Sequence, residues 1–349
     1  MTPLGRIIAD RIRAFGPMSL HDYMQTCLLH PDHGYYATRD PFGRAGDFIT
    51  APEINQIFGE VIGLALAQAW LDQGSPAPFT LAEPGPGRGT LMADMRRVMA
   101  RVPGMLEAAD TVLIEASPHL RQVQAGAVPQ ARHLDSLSDL PQAPLFLVAN
   151  EFLDALPIRQ YQRVEGGWSE RMVTLDDNGL TLALAAPLPL PRRGQVGDIF
   201  EDRPATTAIV TEIASRIAAH GGAAILIDYG NWDGQGDSFQ ALRDHRPEDP
   251  LAYPGQADLT SHVDFAPIAA AARAAGAEVS AMVTQGDLLL ALGAAERAGA
   301  LVRAGDPGAA EALTRLVAPD QMGQLFKALA IWPRGAAPVA GFVPPGGNE

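Results

Sequence analysis

Leu81-Ala82-Glu83-Pro84-Gly85-Pro86-Gly87-Arg88-Gly89-Thr90-Leu91 sets three glycines at alternate positions between an apolar strand and a helical segment. Glycine adopts positive φ without a Cβ clash and lets backbone come close to a ligand. A turn of this kind lies at the carboxyl edge of a parallel sheet, where open α/β folds bind their ligands. The spacing is Gly-x-Gly-x-Gly, and Thr90 stands where the dinucleotide fingerprint needs its third glycine. No Gly-Lys-Ser/Thr follows, so a phosphate-binding Walker loop is disfavoured as well.

Outward from the loop, strands and helices alternate: strand 79–83, helix 89–101, strand 111–115, helix 118–125, strand 145–149. That is the rhythm of a parallel, doubly wound sheet. Residues 1–74 read as a helical region separate from the core, with Ile7, Ile8, Ile12 and Phe15 at helical spacing and a second apolar helix over 54–71. Residues 75–157 form the first part of the sheet. Over 158–200 the pattern turns β-like around Glu165-Gly166-Gly167 and predicts a hairpin insertion. Residues 201–349 resume the sheet with Ala224-Ile225-Leu226-Ile227-Asp228, a run suited to burial on both faces, then add helices and a loose Pro-rich tail after Pro333. The expected fold class is α/β, a Rossmann-like sheet with an N-terminal helical extension, a β-hairpin insertion and C-terminal helical elaboration.

Composition narrows the function classes. The chain has 349 residues, 47% hydrophobic and 19% charged, enough to bury a core without covalent staples. No run of about 18 apolar residues suggests a membrane span, and the N-terminus shows no secretory or transit pattern, so a bacterial cytoplasmic location is expected. A net charge of −14 opposes binding to nucleic acid and suits a cationic or peptide partner. One cysteine, Cys27, excludes an internal disulfide, and the eight histidines form no zinc spacing, so no metal site is expected.

The acid before the glycines points to the ligand. Glu83 would repel a pyrophosphate and attract the α-ammonium of S-adenosyl-L-methionine, with Gly85, Gly87 and Gly89 as its backbone cradle. Glu115 ends the second strand a little beyond the roughly 20-residue offset at which an acid grips ribose hydroxyls; the competing account is a solvated strand end. Asp135 follows the expected third strand and could accept from the adenine amino group, or cap a helix. Asp47-Phe48, behind Gly46, reads as a lid over the cofactor, and Asn150 closes the cofactor-binding set.

Together with Gly46-Asp47-Phe48-Ile49-Thr50-Ala51-Pro52-Glu53-Ile54 and Val148-Ala149-Asn150-Glu151-Phe152-Leu153-Asp154-Ala155-Leu156-Pro157, the loop resembles the MidA family. Its mitochondrial members are complex I assembly arginine methyltransferases. The resemblance continues through Ile227-Asp228-Tyr229-Gly230, 258–265, Thr284-Gln285-Gly286 and 322–327, nearly the whole chain. It implies a class I methyltransferase fold, with the ribose acid at Glu115 and the glycine loop over 85–89. It also implies symmetric dimethylation of an arginine on the 49-kDa-type subunit of NADH:quinone oxidoreductase during assembly. The family's usual Trp before the third-strand acid is replaced here by His133.

Methyl transfer needs alignment of a nucleophile with the methyl group and exclusion of water, with no Lewis-acid metal. Asn150-Glu151-x-x-Asp154 follows the fourth strand, and if a helical turn begins there Glu151 and Asp154 share a face. Two carboxylates so placed could grip a guanidinium, so Glu151 is the first catalytic candidate and Asp154 the second. The structural alternative has Asn150 capping a helix and Asp154 bonding nearby backbone. Asp228-Tyr229 ends the fifth strand and is expected to line the substrate channel. Small-residue helices and the hairpin are the segments a homodimer would use. Two other functions stand against the methyltransferase: a non-catalytic assembly chaperone that keeps the fold, and an NAD-dependent oxidoreductase.

Overall fold

The computed structural model describes residues 1–38, 50–234, 236–243 and 245–345, and Asp47 and Phe48 lie outside them. The chain forms two compact units: Met1–Phe48, Asp154–Thr206 and Asp233–His262 make the first, and Ile49–Leu153, Thr207–Trp232 and Val263–Glu349 the second.

The second unit holds the sheet expected from the glycine loop. Its principal strands are β1 (Phe79–Pro84), β2 (Ala109–Ile114), β3 (Arg132–Leu134), β4 (Leu145–Asn150), β5 (Gly222–Asn231), β6 (Ala277–Val279) and β7 (Phe326–Pro333). Their spatial order is β6-β7-β5-β4-β1-β2-β3. Strands β1 to β5 pair in parallel, whereas β7 runs antiparallel to both β5 and β6. The dinucleotide-binding order 3-2-1-4-5-6 has no such reversed strand between its fifth and sixth members, which weakens the oxidoreductase alternative on topology as well as on glycine spacing. The runs Leu145–Asn150 and Ala223–Ile227 are buried throughout, as strands covered on both faces must be.

Two boundaries differ from those read in the sequence. The helix Ile57–Asp72 belongs to the second unit rather than to a separate N-terminal region. Its glycines explain why: a Cβ on Gly59 would lie 2.6 Å from Asp94 Cβ, and one on Gly63 2.8 Å from Met95 Cα, so the helix seats closely on Thr90–Met99. Residues 334–345 are not loose either. Val339 and Phe342 are buried in the same core, and Ala281 N–H donates to the Val343 carbonyl at 2.9 Å. Two apolar side chains suffice to anchor a segment whose composition reads as tail.

In the first unit, the expected hairpin is larger. Among the described residues, Met18–Ser19, Gly167–Asp176, Arg159–Val164 and Ile199–Asp202 follow one another in an antiparallel sheet, and Gly179–Leu184 also pairs with Gly167–Asp176. Helix Pro3–Phe15 starts at Thr2, whose hydroxyl accepts from Gly5 N at 2.9 Å, and helix Leu20–Leu29 starts at Ser19, which accepts from Asp22 N at 3.0 Å. Leu4, Ile8, Tyr23, Met24, Ile158 and Val173 close this unit's own core. No helix among the described residues is long and apolar enough to cross a membrane.

Candidate active site

The carboxyl edge of the second unit's sheet gathers most of the residues singled out above. Gly85, Gly87 and Gly89 all have positive φ, at +62°, +52° and +83°. The turn is closed by Gly85 N–H on the Ile114 carbonyl at 3.0 Å and Gly89 N–H on the Pro86 carbonyl at 2.8 Å, and Gly89 caps the helix Thr90–Met99 in the left-handed region. A Cβ on Gly85 would fall 2.8 Å from the Phe152 ring, so Phe152 lies directly on the loop.

Glu83 is 3% exposed at the end of β1. Burial pushes its carboxyl well above the usual carboxylate range, and the Met92 backbone N–H opposes the shift. Its Oε2 is buried without a hydrogen-bond partner among the described residues, as is Oδ1 of Asn150 at the end of β4.

Glu115 follows β2. One carboxylate oxygen accepts from Ser117 N at 2.7 Å and the other from Gln124 Nε2 at 3.1 Å. Burial raises its pKa, and the Ser117 and Gln124 hydrogen bonds offset part of the rise. A carboxylate offers about four acceptor positions, so the contacts from Ser117, Gln124 and the Ala116 backbone leave room for a further donor. Asp135, after β3, has an 86% exposed side chain paired with Arg121, whose guanidinium also reaches the Glu115 and Leu134 carbonyls. Asp135 is not the neighbouring cap: Ser136 Oγ accepts from Ser138 N at the short helix Leu137–Asp139.

The fourth strand does not run into a helix. Glu151 stands at φ +51°, in the left-handed region that side-chain-bearing residues seldom occupy, and residues 151–157 form bends and turns. The proposed shared helical face of Glu151 and Asp154 is therefore corrected, and Asn150 caps no helix. Several bonds hold the strained residue. Glu151 N–H donates to the Ile227 carbonyl at 3.0 Å, and its Oε1 accepts from Asn150 Nδ2 at 3.1 Å and from Ala51 N at 3.2 Å. Strain retained by surrounding contacts is typical of functional positions.

Asp228 is 1% exposed, and its carboxylate accepts from Leu153 N and Tyr229 N, both at 2.9 Å. These two bonds help fix the turn after β4. Tyr229 packs edge-on against Phe326, with ring centroids 5.5 Å apart. Asp154 belongs to the first unit, where it is buried, its carbonyl accepts from Ser261 N at 3.1 Å, and its charge helps push the Tyr36 hydroxyl pKa up, after burial and Asp258.

Comparison with known proteins identifies this loop and sheet. Residues 61–283 match a family model described as "Putative S-adenosyl-L-methionine-dependent methyltransferase". The chain belongs to this family. The methyltransferase is 34% identical, over 95% of its length and 85% of the relative's, to Protein arginine methyltransferase NDUFAF7, mitochondrial, of Rattus norvegicus. With the protein of that name from Homo sapiens it shares 33% identity, over 95% of this chain and 84% of the other. A solved protein of Burkholderia thailandensis bound to S-adenosyl-homocysteine superposes with a TM-score of 0.83 at 29% identity, covering 97% of this chain and 93% of that one. The enzyme thus uses S-adenosylmethionine, as the acid before the glycines indicated.

Three residues of this edge were missed by the sequence reading. Phe152 sits beside the strained Glu151, and Arg121 links the ends of β2 and β3. Gln124 occupies the turn after buried Leu120 on helix Pro118–Ala127. A polar side chain at a position where the apolar stripe should continue was the available signal.

Proposed function

We propose that the methyltransferase acts on an arginine side chain of a protein, with Glu151 as the residue that holds the guanidinium. The observation that carries this is the acid's placement: Glu151 is kept at φ +51° by contacts on both sides, at the carboxyl end of β4. Relatives that align over 95% of the chain are named protein arginine methyltransferases, which supports arginine as the acceptor. We infer further, from the family resemblance, that the partner is the 49-kDa-type subunit of complex I, met in the cytoplasm during assembly.

Bound S-adenosylmethionine supplies a sulfonium methyl group as electrophile. The residues present fit it: the partnerless Glu83 Oε2 matches an ammonium group, and the glycines admit a ligand against bare backbone. Glu115 is assigned to the ribose hydroxyls, Asn150 to the cofactor's polar groups, Asp135 to the adenine edge and Tyr229 to the substrate channel. Glu151 would orient one guanidinium nitrogen toward the methyl group; as the nitrogen–carbon bond forms, the methyl–sulfur bond would break to leave a neutral thioether, and the nitrogen would lose its proton to the Glu151 carboxylate, so the methylated guanidinium stays cationic.

Two consequences can be measured directly. Glu115→Ala is expected to weaken S-adenosylhomocysteine by roughly 1.5–3 kcal/mol in calorimetry, the range for hydrogen bonds to a charged group; a loss below about 0.3 kcal/mol would return Glu115 to a solvated strand end. Glu83 gives a pH prediction. Its folded pKa is raised, so the folded chain keeps a proton that the unfolded chain releases. Its contribution to stability is full below the ordinary glutamate pKa and declines as pH rises toward the folded value. Glu83→Gln should therefore raise the ligand-free melting temperature at neutral pH while weakening S-adenosylhomocysteine. A variant that melts lower and binds normally would remove Glu83 from the cofactor site. The function itself is tested by mass spectrometry of arginine methylation in complex I from a gene-deletion strain. Loss of one methylarginine supports it, whereas unchanged methylation with failed assembly would favour the chaperone.

A further inference from the structure

A buried amide ties together the glycine loop and the acid after β2. Gln124 is 0% exposed. Its Nε2 donates to the Gly87 carbonyl at 2.7 Å and to Glu115 Oε2 at 3.1 Å, while its Oε1 meets His133 Nε2 at 2.9 Å. A primary amide has two N–H donors, and both are engaged here by oxygen acceptors. Flipping it would set Oε1 against the Gly87 carbonyl and a carboxylate at once. The orientation is therefore fixed, and His133 carries a proton on Nε2 to donate to Oε1.

The consequence reaches both parts of the site. With Ser117 N on one oxygen and Gln124 on the other, the Glu115 carboxylate is held at both ends and its rotation is restricted. The bond to the Gly87 carbonyl fixes the same amide to the glycine at φ +52°. The side chain thus sets the spacing between loop and acid before any ligand arrives, which removes an ordering cost from binding.

We propose that Gln124 is a positioning residue for the nucleoside, which locks Glu115 against the glycine loop so that its carboxylate is already aligned for a vicinal diol. The inference rests on the assignment of Glu115 to the ribose. A polar residue that only satisfies the core would affect stability without coupling to Glu115, and this separates the two accounts.

The test is a double-mutant cycle read by calorimetry with S-adenosylhomocysteine on the full chain. Gln124→Met keeps the unbranched length and lacks both donors; Gln124→Leu, which also lacks them, serves if the first variant does not fold. In the wild-type background either change is expected to weaken binding about 30-fold, as for loss of hydrogen bonds to a charged group. In the Glu115→Ala background the same change should cost less than about 3-fold, because no carboxylate remains to align. Equal losses in both backgrounds, or no loss in the first, would overturn the positioning role while leaving Glu115 as the ribose acid. If Glu115→Ala alone binds as wild type does, the ribose assignment fails and this inference fails with it.

Discussion

Glu151→Gln is expected to slow methyl transfer at least about 100-fold, or roughly 2.7 kcal/mol of transition-state stabilisation, with S-adenosylhomocysteine affinity within about threefold of wild type. Glutamine keeps the shape of glutamate and retains a side-chain oxygen. That oxygen can still accept from Asn150 Nδ2 and Ala51 N, the contacts that now hold Glu151 Oε1, so the strained turn should survive. What disappears is the negative charge that pairs with a guanidinium by charge-assisted hydrogen bonds. The measurement is single-turnover transfer beside calorimetry on the same preparation. Transfer at the wild-type rate would mean that another acid meets the arginine.

Gly87→Val should abolish measurable binding of S-adenosylhomocysteine in a chain that still folds. A β-branched residue at φ +52° is strained whatever space surrounds it, by about 1–3 kcal/mol. A typical domain's stability of about 5–15 kcal/mol tolerates that loss. The loop cannot both relax the strain and keep its geometry, because the Gly87 carbonyl is held by Gln124 and the flanking Gly85 and Gly89 have their own fixed bonds. Calorimetry and a thermal melt decide the matter, and an unchanged affinity in the folded variant would remove the loop from the cofactor site.

Much of this was legible in the chain because local rules and global fold agree over residues 79–150. Apolar runs, an alternating glycine turn and acids at strand ends each specify the same carboxyl edge. What escaped depends on contacts distant in sequence. The turn after Asn150 reads as a helix start, yet Glu151 stands at φ +51°, outside the right-handed helical region, with its N–H held by the Ile227 carbonyl, so no α-helix begins there. The helix Ile57–Asp72 reads as separate because the apolar pattern says nothing about which neighbour covers it; Gly59 and Gly63 decide that only when Asp94 and Met95 stand against them. Residues 158–200 alternate as strands should, but the partners Met18–Ser19 and Ile199–Asp202 enlarge a hairpin into a sheet. Gln124 shows the limit most clearly: the break it makes in the apolar stripe marks it as unusual, but its partners, the Gly87 carbonyl 37 residues away in sequence and His133, cannot be read from it.

A protein arginine is proposed to receive its methyl group at the edge formed by the glycine loop and Glu151. The most direct test incubates the purified chain with methyl-labelled S-adenosylmethionine and the 49-kDa-type complex I subunit, followed by amino-acid analysis of the labelled product. Label is expected in methylarginine, lost with Glu151→Gln under conditions where the cofactor still binds. Label on a residue other than arginine, or none with cofactor bound and the subunit folded, would contradict it.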